Sequence, residues 1–320
     1  MRILHLIPVG RSLLDQIDRG ALPTLQSALA IDELPGSADT VGEALQRAIG
    51  RHHELDLDYL GLTGVSRAAL AVDSSMAAEW TSVSAVAGEP RYGPVDGHAY
   101  VFIATDSDDG LRAATLVAMR YQHTTIRYQH TTIRYLHEPL TVGRLLVKPG
   151  DVYVCRIPDL DLGARQPTST TWRSLGAVGH LVAETAKQTG GGEWDVVVVH
   201  LSGGYKAMIP YLMVLAEGVH SRLRDKELGP GRRPKIRAVA IHDPSAGKDP
   251  TKSRVIVDIP VRAIDTYLLP FAKRLAALTR PDTDIVGADA PKELLGLFIE
   301  RGNERSYQLT AAGLIMVNVL

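Results

Sequence analysis

One stretch, residues 194–216 (WDVVVVHLSGGYKAMIPYLMVLA), constrains the fold more than any other part of the chain. Its unbroken β-branched run, Val196–Val199, is typical of a strand buried on both faces, as in a parallel sheet. The two glycines that follow Ser202 predict a tight turn, because a residue without a Cβ permits close backbone approaches. Lys206 then precedes an apolar helix, in which Pro210 suits the first turn. Together these features predict an anion cradle, in which backbone N–H groups and one ammonium point at the same place.

Two more units of strand, turn and helix precede this stretch. Residues 2–9 (RILHLIPV) predict a first strand, which ends in the glycine turn 10–14. Residues 98–104 predict another strand, followed by the polar loop 105–110 and a helix. Further strands are predicted at 150–162, 236–241 and 254–260, with helices between them. Strands that alternate with helices at this spacing predict a doubly wound, mostly parallel α/β sheet.

Composition excludes several classes of protein. The 320 residues include 35 basic and 36 acidic side chains, which argues against general binding of duplex nucleic acid. Cys155 is the only cysteine, so the chain can form neither an internal disulfide nor a thiolate metal cluster. Without a signal peptide or an apolar run of spanning length, we expect a cytoplasmic protein with no membrane partner. The first strand lacks a following GxGxxG and the chain lacks a Walker GxxxxGK motif, so an oxidoreductase with a nucleotide cofactor has little support.

Three loops occur where ligands bind in such sheets, at the carboxyl ends of strands near a switch point. They are Pro8–Leu14, Thr105–Gly110 and Leu201–Ala207. In this order they resemble the loops of CRISPR-associated Rossmann-fold (CARF) sensors of type III CRISPR systems, namely a VGxSLL-like turn, an SD-type loop and a TGGYKA-like loop. The resemblance covers roughly residues 1–265, and we assign residues 1–280 to a CARF-like domain. Arg11 and Ser202 stand where the family usually has threonine.

The resemblance implies that the ligand is a cyclic oligoadenylate of four or six units. The ring would lie across the axis of a homodimer and allosterically control an effector in antiviral defence, without a cofactor or a metal ion. Lys206, the glycine amides and the first turn would hold phosphate, Arg11 would add a forked contact, and Tyr205 would line the adenine or ribose. The implied ligand-binding residues are Gly10, Arg11, Ser12, Leu13, Thr105, Asp106, Ser107, Ser202, Gly203, Gly204, Tyr205 and Lys206.

Other functions remain open at this point. In a ring nuclease, Ser12 would position the attacked phosphodiester, Lys206 would stabilise the developing charge, and a ribose 2′-hydroxyl would be the nucleophile without a metal ion. A HEPN ribonuclease needs Arg-x4–6-His, and the match at Arg47–His52 is better explained by chance because it lies in the sheet region. A transcription regulator would bind DNA through a C-terminal winged helix.

The C-terminal residues 281–320 resemble the winged-helix segment that often follows a CARF domain, because residues 305–313 contain a YxLTxxG pattern. Within this segment, residues 291–298 are predicted to be helical. The apolar end, residues 314–320, predicts either packing against the body or a following domain. Residues 120–137 contain the repeat RYQHTTI, which we interpret as a local duplication rather than as a metal-binding face of His123, His130 and His137.

Overall fold

The structure, a computed structural model, describes residues 1–29, 54–55, 63–87, 96–121, 133–136, 147–160, 167–187, 194–203, 206–224, 233–242, 255–264, 268–279, 284–287, 289–302 and 306–320. The Arg47–His52 motif, most of the RYQHTTI repeat, Gly204 and Tyr205 lie outside these residues.

Eight strands form the main sheet, in the order β2-β4-β5-β3-β1-β6-β7-β8. They are β1 (Ile3–Pro8), β2 (Glu54–Leu55), β3 (His98–Ala104), β4 (Ile133–Leu136), β5 (Val152–Arg156), β6 (Val196–His200), β7 (Lys235–His242) and β8 (Val255–Ile259). The six inner strands are parallel, whereas β2 and β8 pair antiparallel at the two edges. The prediction of a mostly parallel α/β sheet is therefore confirmed, and the topology is consistent with a Rossmann-like fold.

Helices cover both faces of this sheet. They are α1 (Ser12–Asp18), α2 (Pro23–Leu29), α3 (Thr63–Ala71), α4 (Ala78–Ala87), α5 (Asp108–Met119), α6 (Ser169–Lys187), α7 (Ile209–Arg224), α8 (Leu269–Leu278) and α9 (Ala311–Val319). Successive side chains of a strand point to opposite faces, so Leu4 and Leu6 of β1 pack with α6, α7 and α9. Ile7 of the same strand packs with α1 to α5. Strand β1 is therefore buried on both sides.

The strand order places a topological switch point between β1 and β6. From β1 the chain moves to β3 and β5 on one side of it, and then returns to β6 on the other side. The loops that follow β1 and β6 thus leave the sheet at the same edge and diverge in opposite directions. In open α/β sheets this crevice is where ligands bind.

The C-terminal residues form a small antiparallel sheet in the order β10-β11-β9, made of β9 (Ile285–Val286), β10 (Ile299–Arg301) and β11 (Tyr307–Leu309). The predicted helix at 291–298 is wrong: these residues form a 3-10 turn, Lys292–Leu294, followed by turns through Gly296 at φ +78°. A left-handed residue interrupts a helix, and Pro291 already fixes an extended entry.

The apolar end of the chain packs into the body rather than projecting from it. Helix α9 begins after Thr310, whose Oγ1 accepts a hydrogen bond from the Gly313 N–H at 3.1 Å. It lies against α6 at glycines, and a Cβ added to Gly176 would come within 2.6 Å of the Ile315 carbonyl oxygen. Close approach of these two helices therefore depends on a small residue at that position.

Candidate functional site

The loops after β1 and β6 contact each other at the switch point. Gly203 is buried, and a Cβ at this position would lie 2.4 Å from the Pro8 carbonyl oxygen and 2.8 Å from Glu79 Cγ. Real Cβ atoms do not approach backbone atoms this closely, so the contact requires glycine. Two of the three loops that the sequence assigns to the ligand are thus brought together.

A buried carboxylate that sequence reasoning missed lies beneath both loops. Glu79 stands in the first turn of α4 and is only 1% exposed. Its Oε1 accepts a hydrogen bond from the Gly10 N–H at 2.9 Å, and its Oε2 accepts one from the Ser12 hydroxyl at 2.7 Å. Two of the donors expected to hold a phosphate are therefore bound to this side chain. The sequence carries a faint signal, a single acidic residue in the otherwise uncharged run 77–87.

Arg11 is exposed, and its guanidinium is surrounded by carboxylates. It forms an ion pair with Asp109 in the first turn of α5, and its Nε and Nη2 lie 3.7 Å and 3.8 Å from Asp15 and Asp18. A forked contact with phosphate stays a prediction, and it would require Arg11 to exchange these partners. Leu13, also expected at the ligand, is fully buried in the core beneath the turn.

The loop after β3 makes contacts within the protein. Ser107 caps α5, since its Oγ accepts a hydrogen bond from the Gly110 N–H at 3.1 Å, and it lies 3.1 Å from Thr105 Oγ1. Asp106 forms an ion pair with Arg156 and accepts a hydrogen bond from the Asp159 N–H at 2.9 Å. Of these three predicted ligand residues, Asp106 connects the loop with the end of β5, whereas Thr105 and Ser107 make contacts within the loop and with the start of α5.

The loop after β6 ends in an exposed cation. Ser202 is half-buried and its Oγ accepts a hydrogen bond from the Ile241 N–H, which attaches the loop to β7. Lys206 begins the 3-10 turn that leads into α7, and it is exposed. Among the residues that the structure describes, no side chain forms an ion pair or a hydrogen bond with its ammonium. Of the cations predicted at the site, Lys206 alone lacks a neighbouring carboxylate within that part of the chain.

A chain of hydrogen-bonded buried side chains, which we call the histidine chain, crosses the three central strands. Ser82 Oγ of α4 lies 2.6 Å from His200 Nδ1, and His200 Nε2 lies 3.0 Å from His5 Nδ1. His5 Nε2 in turn lies 3.0 Å from His98 Nδ1, and the Tyr100 ring stacks on His5. Sequence reasoning did not identify this chain, because each histidine is a single polar residue within an apolar strand.

Burial holds the histidine chain in its neutral form. Desolvation, followed by the positive charge of Arg237, lowers the pKa of His200 to about 3. Desolvation and the N-terminal ammonium lower the pKa of His98 to about 4. The pKa of His5, which lies between them, is lowered well below its ordinary value by desolvation and by the two neighbouring histidines.

Within the described ranges, no three His, Cys, Asp or Glu side chains are grouped so that they could hold a metal ion. No helix in the same ranges has the length and apolar character needed to cross a membrane. No protein-family model matches the chain, and the curated proteins compared with it contain no match either.

Proposed function

We propose that the chain is a homodimeric sensor that binds a cyclic oligoadenylate at the switch point. The observation that carries the proposal is the contact between the turns after β1 and β6, with Gly203 against the Pro8 carbonyl oxygen and an exposed Lys206 beside it. Ligands of open α/β sheets bind at this position, and an ammonium that no side chain of the described residues pairs with favours an anion there.

The charges at this end of the sheet favour Lys206 as the phosphate contact. The Gly10 N–H and the Ser12 hydroxyl are bound to Glu79, and Arg11 is engaged by three carboxylates. A phosphate would be repelled near those carboxylates and attracted near Lys206. A ring of phosphates with two-fold symmetry could meet one Lys206 from each of two copies, which favours a shared site.

Cleavage of the ring is a second candidate, and the hydrogen bond between Ser12 and Glu79 favours it. Ser12 is held by a buried carboxylate and has a fixed orientation, in which its accepting oxygen could position the ribose 2′-hydroxyl that would act as the nucleophile. A DNA-binding regulator has less support. The small sheet after α8 has the strands of a winged helix, but between β9 and β10 the described residues contain only the 3-10 turn at Lys292–Leu294.

Calorimetric titration with cyclic tetraadenylate and cyclic hexaadenylate tests the proposal. We expect the wild-type chain to bind one of the rings, and Lys206→Ala to weaken binding about tenfold or more, since a charge-assisted hydrogen bond contributes about 1.5–3 kcal/mol. Lys235→Ala is the matched control, because Lys235 is also exposed but begins β7 at the opposite edge of the sheet.

Chromatography of the titrated ring then reports cleavage. An intact ring after prolonged incubation supports a sensor alone, whereas linear fragments support the ring nuclease. Equal affinities of wild type and Lys206→Ala would remove the phosphate contact on which the proposal depends.

A further inference from the structure

The direction of the hydrogen bonds at Glu79 determines what Ser12 can offer a ligand. The Ser12 hydroxyl donates its one proton to Glu79 Oε2, at 2.7 Å. Ser12 is half-buried, and within the described ranges this is the hydrogen bond that its side chain makes. The part of the Ser12 oxygen that remains accessible therefore presents lone pairs and no proton.

The surroundings keep Glu79 in this position. Its other oxygen accepts the Gly10 N–H at 2.9 Å, and Gly203 closes the space beside its side chain. The carboxylate is almost completely buried, so rotating it away from the turn would leave a charge without its donors. Glu79 thus fixes the orientation of Ser12, although Glu79 itself is buried and does not reach the surface of the loops.

A phosphate oxygen cannot bond to Ser12 in this state, because both atoms are acceptors and Glu79 repels the anion. A ribose hydroxyl can bond to the Ser12 oxygen, because it donates a proton. Given the proposed function, in which the ligand is a ribonucleotide ring, we infer that Glu79 is a positioning residue that fixes Ser12 as the acceptor for a ribose hydroxyl. In this arrangement Lys206 holds phosphate, and Ser12 in the glycine turn 10–14 distinguishes ribose from deoxyribose.

Glu79→Gln reverses the direction of the hydrogen bond while keeping the shape of the side chain. The amide oxygen of Gln still accepts the Gly10 N–H, but its NH2 donates to Ser12, whose proton then points outward. Ser12→Ala removes the acceptor. Lys206→Ala is the control, since it weakens the phosphate contact and leaves Ser12 and Glu79 unchanged.

The first measurement compares affinities for cyclic tetraadenylate or hexaadenylate and for the same ring with 2′-deoxyribose. Wild type prefers the ribose ring by about a hundredfold, because each of the two chains contributes one hydrogen bond of about 1.4 kcal/mol. The preference disappears in Glu79→Gln and Ser12→Ala, and it is retained in Lys206→Ala although both rings bind more weakly. A preference in Glu79→Gln equal to that of wild type overturns the inference.

The second measurement, amide hydrogen exchange at Gly10, needs no ligand. Exchange is at least about tenfold faster in Glu79→Ala, because the Gly10 N–H loses its partner, and it stays within about threefold of wild type in Glu79→Gln. Equal exchange in wild type and Glu79→Ala overturns the positioning role. A wild-type chain that binds neither ring, but shows the expected exchange rates, overturns the proposed function and the ribose contact while supporting the positioning role.

Discussion

Acidification removes the stability that the histidine chain provides in its neutral form. An unfolded histidine titrates near pH 6.5, whereas burial lowers the pKa of His200 to about 3 and that of His98 to about 4. Between these values the unfolded chain binds more protons than the folded one. The contribution is complete above the unfolded pKa and is lost as the pH falls below it.

The loss of unfolding free energy on acidification follows from the number of buried histidine side chains. At one pH unit below its unfolded pKa, each histidine that stays neutral in the folded state costs about 1.4 kcal/mol of unfolding free energy. Because His5, His98 and His200 are all buried, we expect a loss of about 4 kcal/mol at pH 5.5 relative to pH 7.5. Domains are typically stable by about 5–15 kcal/mol, so this loss is a large fraction of the total.

Urea unfolding at pH 7.5, 6.5 and 5.5, followed by circular dichroism, measures this dependence. His98→Gln has one titrating ring fewer, so the change in unfolding free energy over this pH range falls by about a third. Ser82→Ala is the control: it removes the hydrogen bond to His200 but no titrating group, so the pH dependence is unchanged. A wild-type change of less than about 1 kcal/mol between pH 7.5 and 5.5 would refute the reasoning.

Two further predictions concern the loops. Gly203→Ala destabilises the fold by about 1–3 kcal/mol in thermal unfolding, because its Cβ would meet the Pro8 carbonyl oxygen at 2.4 Å. Gly287→Ala, which has open space around it, is the control, and equal effects of the two substitutions would contradict the contact. Asp106→Ala lowers the unfolding free energy by about 1–3 kcal/mol, because it leaves Arg156 and the Asp159 N–H without their carboxylate. An unchanged free energy of unfolding in chemical denaturation would show that Asp106 does not connect the loop after β3 with the end of β5.

The sequence predicts the strands and turns well where local pattern determines them. β1, β3 and β6 are buried on both faces, and such strands have the predominantly apolar runs seen at residues 3–8, 98–104 and 196–200, each of which contains one histidine. A helix follows the loop after β3 as predicted, although α5 begins at Asp108, within the predicted loop 105–110. The contact at Gly203 was expected only as a turn, because the sequence does not show which backbone a glycine will meet.

The contacts that sequence analysis missed, at Glu79 and in the histidine chain, join residues far apart in the sequence. Glu79 lies 69 residues from Gly10, and the hydrogen bond between His5 and His200 spans 195 residues. Neither hydrophobic periodicity nor motif spacing reveals contacts between residues so far apart, so the buried carboxylate and the histidine chain could not be predicted. The helix expected at 291–298 was wrong because the apolar spacing there does not show that Pro291 is extended and that Gly296 takes a left-handed conformation.

Native mass spectrometry of the chain with cyclic tetraadenylate or cyclic hexaadenylate tests the central claim most directly, since it counts chains and rings in the same particle. We predict a complex of two chains and one ring that is lost when Lys206 is replaced by Ala in both chains. One ring on each single chain, or no complex with either ring, would contradict it.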